Sequence, residues 1–334
     1  GGGQIVPLIK FGFNLDWAAG AWDAKAATTT TVSVTDANIT LAFAPEVNVL
    51  VGLYRTPFRR MDVTDSYAGY LFPHAPAIAG GAYSGALGNF RNAGITLWGD
   101  AMGGKIKYGA GVFDGDLAPG GGFAPSDDSP FYSVRLAFSP LDPEKGYANA
   151  ATYLGKKKGT VLTIGGGYLA ANYRTGSSAS TTYTTTETAT GVHTTTATIK
   201  AAGATTTAEL TYTAYTVDLF SEIKLGAGAL NIEGAYFVYD RDITNGETKG
   251  WYATVAYLIG AFQPAFRYEE SDRDGTVTGG EDFTKLSAGL NYYIKGHDAK
   301  ITLEYAAKDF ENEGTTPRTN QDYADVTLQL QFQF

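Results

Sequence analysis

In the stretch from Gln321 to Phe334 apolar and polar residues alternate at every step from Ala324 on. Ala324, Val326, Leu328, Leu330, Phe332 and Phe334 fall on one side, and Asp325, Thr327, Gln329, Gln331 and Gln333 on the other. A period of two predicts a strand with one oily and one wet face. An edge of Leu and Phe at the end of a soluble sheet would invite pairing with other chains. A closed barrel in a membrane removes that problem, because the last strand pairs with the first and the oily face meets lipid.

The same alternation recurs along the chain. Ile5 to Trp17 sets Pro7, Ile9, Phe11, Phe13, Leu15 and Trp17 against Lys10, Asn14 and Asp16. Further strands are expected at Ile39 to Ala44, Val47 to Thr56, Ile95 to Leu97, Lys105 to Phe113, Phe131 to Ser139 and Val161 to Tyr173. Others follow at Glu209 to Leu225, Leu230 to Tyr239, Trp251 to Ile259, Phe262 to Glu269, Phe283 to Ile294 and Ala299 to Lys308. With the first and last, the pattern predicts fourteen strands. The threonine-rich tract from Thr175 to Thr207 would supply two more if it is a hairpin rather than a long outer loop. The fold class expected is therefore an all-β, antiparallel transmembrane barrel of 14–16 strands. Connections such as LGAGA, IGA and KGHD are short, while Arg241 to Lys249, Ser271 to Asp282 and Asp309 to Gln321 are longer and polar. Short turns at one end and long loops at the other are the pattern of an outer-membrane barrel. Arg55 falls on the outward parity of its strand. Either the strand leaves the bilayer there or a bulge resets the register.

Pro57 to Asn92 breaks the pattern. It is rich in Gly, Pro and aromatic residues and holds Arg59, Arg60, His74 and Arg91. A loop this apolar is expected to pack on the lumen wall, and long ordered loops are usually functional. Leu141 to Gly159 reads as a polar connection.

Composition narrows the classes. There is no cysteine, which excludes disulfides and thiolate metal sites. Only 18% of the 334 residues are charged, and no apolar run is long enough for a membrane helix. A net charge of −9 argues against a nucleic-acid partner. The sequence opens at Gly1 without a basic or apolar leader, so an exported protein would have lost its signal peptide. One barrel domain over residues 1–334 accounts for the length. The terminal Phe334 resembles the C-terminal signature of bacterial outer-membrane barrels. Outer-membrane lipid and lipopolysaccharide are then the expected surroundings.

Parity turns nine bases inward: Lys10, Lys105, Lys107, Arg135, Lys224, Arg267, Lys285, Lys300 and Lys308. Six acids join them: Asp16, Asp218, Glu222, Glu233, Glu269 and Glu304. Rings of Arg and Lys select anions in pores, and the loop arginines Arg59, Arg60 and Arg91 would add to them. The competing reading is that these charges pair off and stiffen the wall. Other signals carry little chemistry. GGGYLA at Gly165 to Ala170 has no helix pattern after it, so it is no dinucleotide site. His74, His193 and His297 lack metal spacing. Asp272 to Asp282 lacks the order of a calcium loop. Lys156 to Lys158 reads as a solvated turn or a lipid-headgroup contact. No activated nucleophile, cofactor pattern or metal set emerges, which sets an enzyme last among the classes.

GLYRTPFRRMDVTDSYAGYLFP, then FRNAGITLWGD, KYGAGVFDG and ATYLGKKKGTVLTIGGGY resemble the phosphate-selective porin O and P family over roughly Val49 to Tyr173. The resemblance implies a trimeric, sixteen-stranded porin that passes phosphate or other anions. It places Arg55, Arg59, Arg60 and Arg91 on or next to the matching stretch. The expectation is a passive pore for small hydrophilic, anionic or polar solutes. The candidate anion-selecting residues are Arg55, Arg59, Arg60, Arg91, Lys105, Lys107, Arg135, Arg267 and Lys285. The alternative is a non-conducting barrel that binds or anchors at the surface, motivated by the threonine tract and acidic loops.

Overall fold

The computed structural model describes residues 2–6, 8–18, 31–64, 71–79, 91–114, 130–175, 180–187, 193–200, 208–241, 246–273, 282–311 and 322–332. The terminal Phe334 and the acidic loop around Asp116 and Asp127 lie outside them, as do parts of the long loop and of the threonine tract.

Fifteen strands form one antiparallel sheet. In chain order they are β1 (Gly2–Val6), β2 (Ile9–Ala18), β3 (Thr31–Ala44), β4 (Val47–Arg55), β5 (Arg91–Ala101), β6 (Ile106–Phe113), β7 (Phe131–Phe138) and β8 (Val161–Thr175). After β9 (Ser180–Glu187) and β10 (His193–Lys200), which pair only with each other, the sheet resumes. It continues with β11 (Ala208–Leu225), β12 (Gly228–Arg241), β13 (Gly246–Ile259), β14 (Phe262–Arg273), β15 (Phe283–Tyr293), β16 (Ala299–Phe310) and β17 (Tyr323–Phe332). Every neighbour in the sheet except β8 and β11 is next in sequence. Among the described residues β1 and β17 are the sheet's two edges, with no ladder between them.

The expected first strand is two. The chain turns at Leu8, and Val6 pairs with Ile9. Proline at position 7 lacks the N–H that an uninterrupted ladder needs. No bulge resets the register at Arg55. The ladder between β4 and β5 keeps register through Arg55 and Arg91, and β4 ends there. Lys105 is not on a strand. It sits exposed in the turn before β6.

Alternation sets the two faces of the wall. On β7, Tyr132, Val134, Leu136 and Phe138 are about half exposed, while Phe131, Ser133, Arg135 and Ala137 between them are buried. β14 alternates the same way from Phe262 to Asp272. The open face is mainly apolar, as a surface bathed in hydrocarbon must be, with Glu270 and Asp272 exposed near the long-loop end of β14. Among the described residues no helix is long and apolar enough to cross a membrane.

The closed face is covered by the chain itself. Residues 56–64 and 71–79 thread across it and touch strands far apart in the sheet. Ser133 of β7 donates to the Pro57 carbonyl (3.0 Å), and Arg59 Nη1 donates to Tyr239 Oη of β12 (3.0 Å). Asn291 of β15 donates to the Leu71 carbonyl (3.0 Å), and His74 Nδ1 lies 3.0 Å from Glu304 of β16. One short segment can reach β7 and β16 together only if the sheet curls around it.

Candidate functional site

Two inward segments fill the lumen. The first, residues 56–64 and 71–79, comes from the long-loop end. Its seats are built into the wall as glycines. A Cβ at Gly167 would lie 2.1 Å from the Phe58 carbonyl oxygen, and one at Gly289 would lie 2.9 Å from the Phe72 ring. Phe58 and Ile78 are fully buried, among Met61, Phe113, Leu169, Phe237 and Tyr252. Barrel glycines therefore do more than ease curvature here. They admit a backbone and a ring that any side chain would exclude.

The second segment, residues 139–160 between β7 and β8, enters from the short-turn end. Its composition reads as that of a polar connection. Its polar groups are instead bound by the wall. Glu222 accepts from Thr152 Oγ1 (3.1 Å), the Tyr153 amide (2.6 Å) and the Gly155 amide (3.0 Å). Lys107 donates to Asn149 (2.5 Å), and Asp100 accepts from the Gly146 amide (2.7 Å). Tyr147 and Tyr153, both partly buried in a stretch whose composition reads as a polar connection, are the signal that could have marked it.

The segments meet inside the barrel. The Asn149 amide donates to the Val63 carbonyl (2.8 Å) beside a parallel bridge between Thr64 and Asn149. Arg60 locks the junction. Its Nη2 lies 2.5 Å from Glu144 and donates to the Ala150 carbonyl at 2.9 Å. Its Nη1 is 3.7 Å from Glu233, and its plane lies 3.8 Å over Phe220. Both Arg60 and Glu144 are almost wholly buried. Burial is the largest single influence on Glu144 and pushes its pKa up. The positive charges of Arg60 and Lys107, with hydrogen bonds from Tyr153 and Thr163, together outweigh it and hold the carboxyl below its usual range.

The candidate cations fall into three groups. Arg59, Arg60, Arg91, Arg135 and Arg267 are each within ion-pair distance of a carboxylate: Asp62 at 2.8 Å, Glu144 at 2.5 Å, Asp36 at 3.0 Å, Asp218 at 2.6 Å and Glu269 at 2.9 Å. Arg55 donates to the Asp62 carbonyl (3.0 Å), and Lys107 is taken by Asn149. Lys285 is more loosely held, 4.0 Å from Glu269, while Lys105 stands in solvent at the short-turn end. Parity could show which side chains point inward. It could not show their partners, because Asp36, Asp62 and Glu144 come from segments or offsets that no strand period relates.

One row sets two lysines side by side. Lys285 of β15 and Lys308 of β16 are direct cross-strand partners, both buried on the inner face. Glu269 is the next residue along the same row, opposite Lys285 on β14. Two ammonium groups thus share a row with one carboxylate, which Arg267 also holds, and Lys308 Nζ lies 3.7 Å from the centre of the Phe283 ring.

An antiparallel wall with an oily outside, a charged inside and loop segments drawn into the lumen defines a bacterial outer-membrane porin. The chain belongs to the family of phosphate-selective porins O and P, which it matches over residues 2–334. Its fold is similar to that of an anion-selective porin from Comamonas acidovorans. There the TM-score is 0.53 at 12% identity, over 97% of this chain and 82% of that one. OmpF of Salmonella typhi, solved with daunomycin, gives 0.52 at 14% identity, over 95% of this chain and 82% of that one. In-vitro folded OmpT of Vibrio cholerae gives 0.50 at 14% identity, over 97% and 84%. No curated protein matches the sequence.

Proposed function

We propose that this porin lets small hydrophilic solutes diffuse passively, prefers anions of the phosphate-like oxyanion class, and assembles as a homotrimer in a single barrel domain per chain. The family's phosphate selectivity and the anion selectivity of the Comamonas barrel support the preference. The observation that carries it is the Lys285–Lys308 row. Like charges directly opposite each other destabilise a sheet. Two lysines in a row with one carboxylate, Glu269, tilt the local charge of the inner face toward the positive. Basic groups in a restricted lumen select for anions. The paired arginines contribute by holding the inward segments in place rather than by presenting free charge.

Reversal potentials across planar bilayers under a KCl gradient test this. Chloride is expected to permeate better than potassium, and Lys285→Gln with Lys308→Gln is expected to bring the ratio toward one. An unchanged ratio in the double variant would remove the lysine row from selectivity. The second reading, a non-conducting barrel serving at the surface, is favoured by the depth to which both segments fill the lumen. Purified protein that inserts but shows no discrete channels would decide for it.

A further inference from the structure

The outer face is not alike all the way round. Every strand of the main sheet from β7 to β16 exposes one Tyr or Trp to the outside. These rings link into a belt. Tyr168 and Tyr215 are direct cross-strand partners, as are Tyr236 and Trp251, and the Trp251 ring lies 5.3 Å from that of Tyr268. Tyr and Trp gather where a membrane wall meets lipid headgroups, because each pairs an apolar ring with a polar edge. The belt stops towards both ends of the sheet. Opposite Tyr305 on β16 stands Val326 of β17. Opposite Tyr132 on β7 stands Val112, and the same row runs on through Ile95, Val51 and Ile39 to Phe11 of β2. Among the described side chains no Tyr or Trp is exposed on the outer face of β2–β5 or β17. Trp17 lies outside the described side chains, and Tyr323 is on the inner side, paired with Lys308. Phe11, Ile39 and Leu328 are nonetheless 44%, 47% and 64% exposed. This sector has the oil of a membrane face without its headgroup anchors.

The same sector has the least cover from within. On β2, β3 and β17, Asp36 is the only buried residue among those described. Closing the wall brings the two ends of the sheet together and makes one patch of β17 and β1–β5, six of the fifteen strands. With about 4.8 Å between strands and an apolar band about 25 Å tall, six strands present about 700 Å². That is close to the roughly 800 Å² each partner buries in a stable complex. We propose that this patch is where one copy of the chain packs against the next, with Phe11, Ile39 and Val51 in its middle. A lipid boundary calls for amphipathic rings at the headgroups. A neighbouring barrel calls only for a matching aliphatic surface. Packing from outside also supports the strands that the inward segments do not brace. Three such patches turned toward one axis close a ring. The inference rests on the homotrimer reading and adds the face by which the copies meet.

The chain has no cysteine, so single cysteines can be labelled cleanly. Ile39→Cys on β3 and Val255→Cys on the outer face of β13 each receive a bimane fluorophore. Both are placed in phosphatidylcholine vesicles with plain or brominated acyl chains, and bromine quenches a fluorophore that lipid touches. The Val255 label is expected to lose most of its fluorescence in brominated lipid, and the Ile39 label to keep most of it. Light scattering of the same preparations in mild detergent is expected to give the mass of three chains. Equal quenching at both positions with a three-chain mass would overturn this face and leave the trimer standing. A one-chain mass would overturn both. Leu328→Cys on β17 carries the same expectation as Ile39→Cys and decides if that variant does not insert.

Discussion

β14 and β17 carry the same alternation and meet different surroundings. On β14 from Phe262 to Asp272 each outward residue is exposed and each inward residue buried, down to Gln263 and Glu269 at 0% exposure. On β17 no residue is buried; Val326, Leu328, Leu330 and Phe332 are open on one side, and Thr327, Gln329 and Gln331 are only partly covered on the other. The period decides which face is oily in both strands. What covers the wet face is decided by segments that arrive from elsewhere in the chain, and among the described residues those reach β14 and not β17. The inner wall thus has a filled sector, rich in paired charge, and an open sector lined by amides and hydroxyls.

The comparison can be broken most sharply at Arg60. Arg60→Ala leaves Glu144 buried and removes the link between the two segments. Losing one partner of a buried pair costs about 3–5 kcal/mol. A larger and noisier single-channel conductance is expected, with a lower denaturation temperature. Gly167→Val comes next, because its side chain would occupy the place of the Phe58 carbonyl. Overpacking costs about 1–3 kcal/mol, and the same conductance assay should show the first segment displaced. Acid is a milder probe. Glu144 titrates below the usual glutamate range, so its stabilising effect is complete above that range and is lost as pH falls through the lowered value. Conductance should stay constant from neutral to mildly acidic pH and rise only in stronger acid. Glu144→Gln should abolish that rise. Gln329→Ala on β17 should stay within about 0.5 kcal/mol of wild type in stability. An effect there as large as at Gly167 would erase the distinction between the sectors.

Most of the wall was legible in the sequence, because a membrane enforces period two wherever lipid touches the chain. β7, β14 and β17 fall within a few residues of their expected ends. The break at Leu8 was not read, since Pro7 keeps the apolar parity of its neighbours. The lining of the site was legible as a set of inward charges and illegible as a set of pairs. Arg135 finds Asp218 across 83 residues and Arg60 finds Glu144 across 84, and no local pattern encodes either meeting. The connector 139–160 was missed for a related reason. A segment whose polar atoms are satisfied by buried carboxylates has the composition of one satisfied by water.

The reach of the first inward segment has a kinetic consequence. His74 finds its carboxylate partner 230 positions later, and Leu71 its amide donor 220 positions later. Contacts so distant along the chain slow assembly, because the intervening strands must be ordered before such contacts can form. The segment between β4 and β5 emerges early yet cannot be seated until β16 is in place. During insertion the barrel would pass through a hollow stage, sealed from within only by the last strands to arrive.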